Sequence, residues 1–289
     1  MKECAENWSL PEDFIRWVGE ACIFANTLAD RIVTGYPHAD AEGLFDCLEY
    51  RDELLTACEI FYFWAVENSQ KAVQLSRELP FDKAGLNVIF SEDIGTYRVR
   101  NRLLLNGAYI CLAPAALLAG FKTMASAMNN KNIKKYLEKA LFKEIISTLD
   151  INKNALEGYA KSVVERFSNP YIRHGLHEIT VNCVFKFKQR ILPAILEYQR
   201  RFGKLPPVLI FSFAAMIAFY KNGGRFEVLD DEKNAAFLRD NELNIIFKNV
   251  GFWEFDIEEN KQLCAGVEEA FKRIKLAGVM NEIARLASE

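Results

Sequence analysis

The side chains best suited to metal binding or nucleophilic chemistry are three histidines and seven cysteines in a chain of 289 residues. His174 and His177 form the only close histidine pair, at i, i+3. That spacing puts two imidazoles on one helical face, where a third ligand could complete a metal site. It fits two polar residues near a helix start better, and no metal is expected. Cys4, Cys22, Cys47, Cys58, Cys111, Cys183 and Cys264 are odd in number, widely spaced and free of any CxxC. This excludes a zinc ribbon, a thioredoxin-type motif and a disulfide framework. Most are expected to be buried apolar residues in a reducing, cytoplasmic compartment. The 15 glycines contain no GxGxxG, and there is no P-loop, GxSxG, HExxH or EF-hand loop. The residues that would bind a cofactor are therefore unknown from motifs alone.

The elements that would hold such residues change character near residue 95. Before it, short β-prone runs alternate with helices: Ile32–Thr34, Glu59–Val66 and Leu86–Phe90 read as strands. Pro11–Glu20 and Tyr50–Thr56 read as helices, the first with Pro11 at N1 and acidic residues in its first turn. After residue 95, helices are expected over Leu137–Asp150, Ala155–Phe167, His177–Phe202 (kinked at Pro193), Asp231–Asn249 and Glu258–Ala287. The uncharged run Leu103–Phe121 has the length of a membrane span, but Asn106, Gly107 and Pro114 interrupt it, so a buried helix is expected. The basic-then-apolar start of a signal peptide is missing from MKECAENWSLPEDF. A net charge of −3 and 51% hydrophobic residues exclude disorder and provide no basic field for nucleic acid. The predicted fold class is mainly α: a small α+β segment over 1–95, then an all-helical domain over 96–289. Three short strands alone would leave sheet edges open, which invites a homodimer or another subunit.

Three stretches carry a family resemblance: IFANTLADRIVTGYP at 23–37, NRLLLNGAYICLAP at 101–114, and RFSNPYIRHGLHEITVNCVFKFKQRILPAILEY at 166–198. Together they resemble the long-chain polyol dehydrogenases, the family of mannitol dehydrogenase. LPFDKAGLNVIF at 79–90 and PPVLIFSFAAMIAFYKNG at 206–223 look like its tagaturonate reductase, or altronate oxidoreductase, branch. The resemblance implies a helical substrate domain preceded by a remnant of the cofactor domain, with the Rossmann core lying ahead of residue 1. It implies NAD as the family's hydride carrier, one that this chain by itself is not expected to bind. It also implies a sugar acid as substrate, in D-tagaturonate/D-altronate interconversion, with a truncated chain of impaired catalysis. A non-catalytic sugar-acid-binding or scaffold protein, or one half of a split dehydrogenase completed by a separate Rossmann subunit, stays open.

The resemblance also assigns candidate site residues. The family's K-x-x-x-x-N-x-x-H helix reads here as Asn101, Asn106 and Tyr109. Asn106 matches the asparagine that holds the substrate oxygen, Asn101 stands at the lysine position and Tyr109 at the histidine position. On an α-helix those offsets span an arc of roughly 140°. An amide cannot take a proton near neutral pH, and losing one acid–base group typically costs about 10²- to 10⁴-fold in rate. Lys186 matches a substrate-facing lysine that could meet a carboxylate, with Lys188 as its exposed twin. Asn182 sits one turn before Lys186 on the same face, His174 is placed to touch a sugar hydroxyl, and Asn26 is a second possible oxyanion donor. Asp30 and Arg31 read as a structural ion pair at a strand start.

Overall fold

Helices α1 (Lys2–Asn7) and α2 (Glu12–Glu20) lead into strands β1 (Thr27–Asp30) and β2 (Val33–Gly35). Next come α3 (Ala41–Leu48), β3 (Ala57–Cys58), β4 (Phe63–Glu67), α4 (Val73–Glu78) and β5 (Val88–Ser91). The structure, a computed structural model, describes residues 1–67 and 73–289. From Gly95 the backbone is helical almost throughout. Helix α5 (Gly95–Arg100), a π segment (Asn101–Leu105) and α6 (Asn106–Leu118) run on without a break. Then follow α7 (Met124–Met128), α8 (Lys131–Lys139) with a second π segment (Ala140–Ile145), α9 (Lys153–Phe167), α10 (Leu176–Ile179), α11 (Cys183–Arg190) and α12 (Leu192–Phe202). The chain closes with α13 (Pro207–Tyr220), α14 (Glu232–Asp240), α15 (Leu243–Lys248), α16 (Val250–Trp253), α17 (Lys261–Ala277) and α18 (Val279–Ser288). The fold is mainly helical with a small Rossmann-like α/β portion at the N-terminus.

Two units divide the chain, one of residues 1–32 and 60–98 and the other of residues 33–59 and 99–289. In the first, β4 is central: β1 pairs with it antiparallel (Thr27↔Val66 to Asp30↔Phe63) and β5 parallel (Trp64↔Val88 to Glu67↔Ser91). A parallel neighbour requires a crossover, and α4 lies within it. Ala65 and Val66, on opposite faces of β4, are both buried, and Trp64 packs on Phe81 at 5.7 Å. Among the described residues β1 and β5 each pair on one side only.

The second unit is organised around two helices that are apolar on every side. Such helices have no polar face to turn to water and must be buried. In α13, 12 of 14 residues are buried, and it packs against α6 and α17. Gly95–Leu118 is long and apolar enough to cross a membrane, yet 78% of its most apolar window is buried inside the protein. The N-terminus of α13 is capped from a distance: Glu144, on the second π segment, accepts the Val208 and Leu209 N–H groups, each at 2.9 Å. The 33–59 excursion is tied to α9 by a buried ion pair. Arg166 Nη2 lies 2.6 Å from Glu59 Oε1, and Arg166 Nε donates to both Glu59 oxygens.

Several sequence expectations give way here. Tyr50–Thr56 is not helical: α3 ends at Glu49 in the left-handed region, and Asp52 turns the chain by accepting the Leu54 N–H. Short Asp side chains compete with helix in this way. His177–Phe202 is three helices, not one kinked rod. Asn182 adopts φ 53° and its N–H donates to Leu229, which breaks the run, and Pro193 opens α12. The expected Glu258–Ala287 helix is likewise two, parted at Gly278 with φ 83°. Of the cysteines only Cys111 and Cys183 are buried; Cys4, Cys47 and Cys58 are exposed.

Candidate active site

The π segment decides how the Asn pair meets. An α-helix would leave residues five apart about 140° around the axis. A π turn closes with i→i+5 bonds, so it stacks them instead. Here the Asn106 N–H closes on Asn101 O, and Asn106 Nδ2 donates to Asn101 Oδ1 at 2.7 Å. Asn101 is itself buried at 9% exposure, and its Nδ2 donates to the Tyr159 hydroxyl of α9 at 3.3 Å. Arg100 lies over the same Tyr159 ring, 4.1 Å from its centroid. The two asparagines and Tyr159 thus form a neutral chain of hydrogen bonds with no titratable base at position 101.

Tyr109, one turn further along, is also buried. Its ring stacks on Phe167 at 4.2 Å and meets the edge of His174 at 5.0 Å. His174 is held rigidly from its backbone: its carbonyl accepts the Met124 N–H, and Gly175 bridges Thr123. Burial lowers the His174 pKa, with Lys186 acting in the same direction and Glu178 against it. The imidazole is therefore neutral near pH 7.

Lys186 does not join the Asn pair. Its Nζ donates to Ile179 O at 3.0 Å, closing the C-terminal carbonyl of α10. Burial, then repulsion from Arg190, lowers its pKa. Asn182 is exposed at the start of α11, in the left-handed conformation, and offers its carbonyl to the Lys186 N–H. Lys188 is not an exposed twin, since its side chain is 17% exposed and it pairs with Glu254 and donates to Phe252 O. Beneath this segment Val184 N donates to Tyr220 and Asp230, and burial pushes the neighbouring Cys183 thiol up to about 12. Asn26 belongs to the first unit, where its amide donates to Glu67 across the sheet. Asp30 is buried at the end of β1, and the Arg31 guanidinium lies 5.8 Å from the Tyr62 ring centroid. His177 turns its Nε2 to Glu227 O at 2.7 Å. Among the described residues no three His, Cys, Asp or Glu side chains are grouped to hold a metal.

Sequence reasoning missed the surroundings of His174. A cleft of about 620 Å³ in the second unit is lined by β2, the loop after it, β3, residues 171–175 and Glu178. Tyr159, which completes the Asn chain, was also missed. Only its position on the inner face of α9 could have pointed to it.

The mannitol dehydrogenase C-terminal domain matches residues 93–275, and the mannitol dehydrogenase Rossmann domain matches residues 1–78. The chain belongs to the mannitol dehydrogenase family. Its relatives include the altronate oxidoreductase of Cronobacter sakazakii, 39% identical over 298 residues that make up 98% of this chain and 61% of that one. The altronate oxidoreductase of Shigella flexneri is 44% identical over 230 residues, 78% of this chain and 47% of that one. The chain thus spans about half to three-fifths of the length of these relatives. Two solved structures share the fold at TM-score 0.77: Pseudomonas fluorescens mannitol 2-dehydrogenase in ternary complex with NAD and D-mannitol, 20% identical, and a substrate-free D-sorbitol dehydrogenase, 21% identical. Each alignment covers 96% of this chain and 57% of the other.

NAD is the hydride carrier that this family implies. A dinucleotide's diphosphate asks for a glycine-rich turn at a helix N-terminus. The groove of the first unit is instead lined by Thr27 and by Ile23, Ala25, Trp64, Val66 and other apolar side chains, with no cation among the described residues. These residues do not fit a diphosphate.

Proposed function

We propose that this chain is the sugar-acid-binding part of an altronate oxidoreductase-type enzyme and is catalytically impaired at its base positions. The parent reaction is the NADH-dependent reduction of D-tagaturonate to D-altronate. The observation that carries the reading is the Asn101–Asn106 bond inside the π turn. Reduction of the ketone needs a group that supplies the hydroxyl proton, and oxidation needs one that removes it. At position 101 an amide is bonded into a neutral chain, and at 109 a phenol is packed between Phe167 and His174. Asn106 keeps the type of donor that would hold a substrate oxygen, and Asn182 and Lys186, four residues apart at the start of α11, keep residue types that would orient hydroxyls and a carboxylate. The chain alone does not bind NAD(H), since the sequence has no glycine-rich turn and the described groove of the first unit is apolar. Seven free cysteines support a reducing, cytoplasmic setting.

A second reading is one half of a split dehydrogenase, completed by a Rossmann subunit or by a second copy. The one-sided pairing of β1 and β5 favours it, because open edges recruit partners.

The test is NADH consumption with tagaturonate in four mixtures: the chain or its Asn101→Lys, Tyr109→His variant, each with and without a family Rossmann domain. The unmodified chain is expected to be inactive in both of its mixtures, and the repaired chain active only with the added domain. Robust turnover by the unmodified chain would overturn the reading. Micromolar NADH binding by the chain alone, measured by calorimetry, would overturn the cofactor half of it.

A further inference from the structure

Asparagine followed by glycine occurs twice in the chain, at Asn106-Gly107 and at Asn222-Gly223. The backbone nitrogen of a residue can attack the side-chain amide of an asparagine just before it. The attack needs a free N–H and a small attacking residue, and glycine has no Cβ to block the approach. The fold treats the two pairs differently.

Asn106-Gly107 lies within the unbroken helical run Gly95–Leu118. Gly107 is buried, and a helix spends such an N–H on the preceding turn. The Asn106 amide is itself tied back to Asn101, donating to both its backbone and its side-chain oxygen.

Asn222-Gly223 lies past the end of α13, in a turn where Gly223 and Gly224 take φ 67° and 82°. Both glycines are exposed, and among the described residues no carbonyl accepts the Gly223 N–H. The Asn222 side chain clasps this turn. Its Nδ2 donates to Phe219 O at 2.7 Å and to Phe226 O at 3.2 Å, and its Oδ1 accepts the Phe226 N–H at 3.2 Å. A donor at Oδ1 stabilises the negative charge that builds there when the amide carbon is attacked. The pair also lines a second cleft of about 620 Å³, beside Tyr220, Lys221 and Glu232, which opens it to water.

We propose that Asn222-Gly223 is a self-modification site, where the folded chain converts an asparagine to aspartate and isoaspartate while its helix protects Asn106. The Gly223 nitrogen attacks Asn222 Cγ and forms a C–N bond. Its proton passes through water to the amide nitrogen, the Cγ–Nδ2 bond breaks, and ammonia leaves. Water then opens the five-membered succinimide at either carbonyl. No oxidation or reduction takes place, and neither cofactor nor substrate is needed. The product carboxylate can only accept, so the donations to Phe219 O and Phe226 O are lost. The turn leading to Asp230, which accepts from Val184 N at the start of α11, thereby loses its clasp.

The test incubates the full folded chain in neutral buffer beside a sample in urea, and follows both pairs by peptide mass mapping with an isoaspartate assay. In the folded chain Asn222 should convert at least about tenfold faster than Asn106, a gap that a modest barrier difference gives. In urea the two should convert at similar rates. Gly223→Ala should slow conversion at Asn222 in the folded chain and in urea alike, so a disturbed turn cannot account for the effect. Arg225 lies inside the clasp, so Asn222→Asp should speed tryptic cleavage after it several-fold. Equal conversion of the two pairs in the folded chain, or conversion of neither, would overturn the proposal. Aspartate without isoaspartate would mean direct hydrolysis and would overturn the ring-closing step. Cleavage of Asn222→Asp at the wild-type rate would overturn the claim that the amide holds the turn shut.

Discussion

The interior of the helical unit and the cleft beside it use the same residue types to opposite ends. Inside, polar groups are matched to one another: Glu59 with Arg166, Glu144 with the first N–H groups of α13, and Asn101 with Asn106 and Tyr159. In the cleft, Arg173 and Asp40 form a loose pair with side chains 66% and 52% exposed, and His174 keeps an unsatisfied nitrogen. A group buried in the core must find its partner within the protein, because water cannot reach it. A group at a cleft can wait for a ligand.

The largest effect should come from the buried ion pair. Arg166→Ala takes the guanidinium away from the buried Glu59 carboxylate, and breaking a buried pair this way costs about 3–5 kcal/mol. Urea denaturation is the measurement, and a loss under about 1 kcal/mol would erase the contrast with the cleft.

Next in size is a pH effect. Burial raises the Glu144 pKa from 4.5 to about 7 against the opposing pull of the Val208 and Leu209 N–H groups. The folded state therefore holds this proton more tightly than the unfolded one. Its contribution is fully present below about pH 4.5 and is lost as pH rises through about 7. The swing should be roughly 2–4 kcal/mol, since each tenfold difference in proton affinity between the two states is worth about 1.4 kcal/mol. Glu144→Gln should flatten that part of the stability–pH curve, and an unchanged slope would mean that another group titrates.

Asn106→Ala should cost about 1–3 kcal/mol by leaving Asn101 Oδ1 buried without its donor. Asn106→Asp should cost at least as much, since it sets a carboxylate against that same oxygen. Arg173→Gln marks the small end: an exposed pair of this kind contributes less than about 1 kcal/mol. A larger loss there would mean that the cleft wall is structural.

What was legible in the chain follows from range. The run PPVLIFSFAAMIAFY announced a buried helix, and α13 is one, because an all-apolar segment has a single environment available to it. The strand at β1 was not legible as TLAD, because its pairing depends on β4, more than thirty residues away. The break at Asn182 was hidden for the same reason: its N–H is drawn off by Leu229.

For the candidate site the division is similar. Residue types alone set an amide at position 101 and a phenol at position 109, and they show no GxGxxG among the glycines. These are statements about chemistry, which composition and spacing determine. The tertiary structure decided that Asn101 and Asn106 touch, because a π turn, not an α turn, joins them. It also decided that His174 faces a cleft with His38 and Glu178, since that cleft is assembled from segments more than 110 residues apart. Local sequence sets what a residue can donate, accept or titrate, and long-range packing sets what it meets.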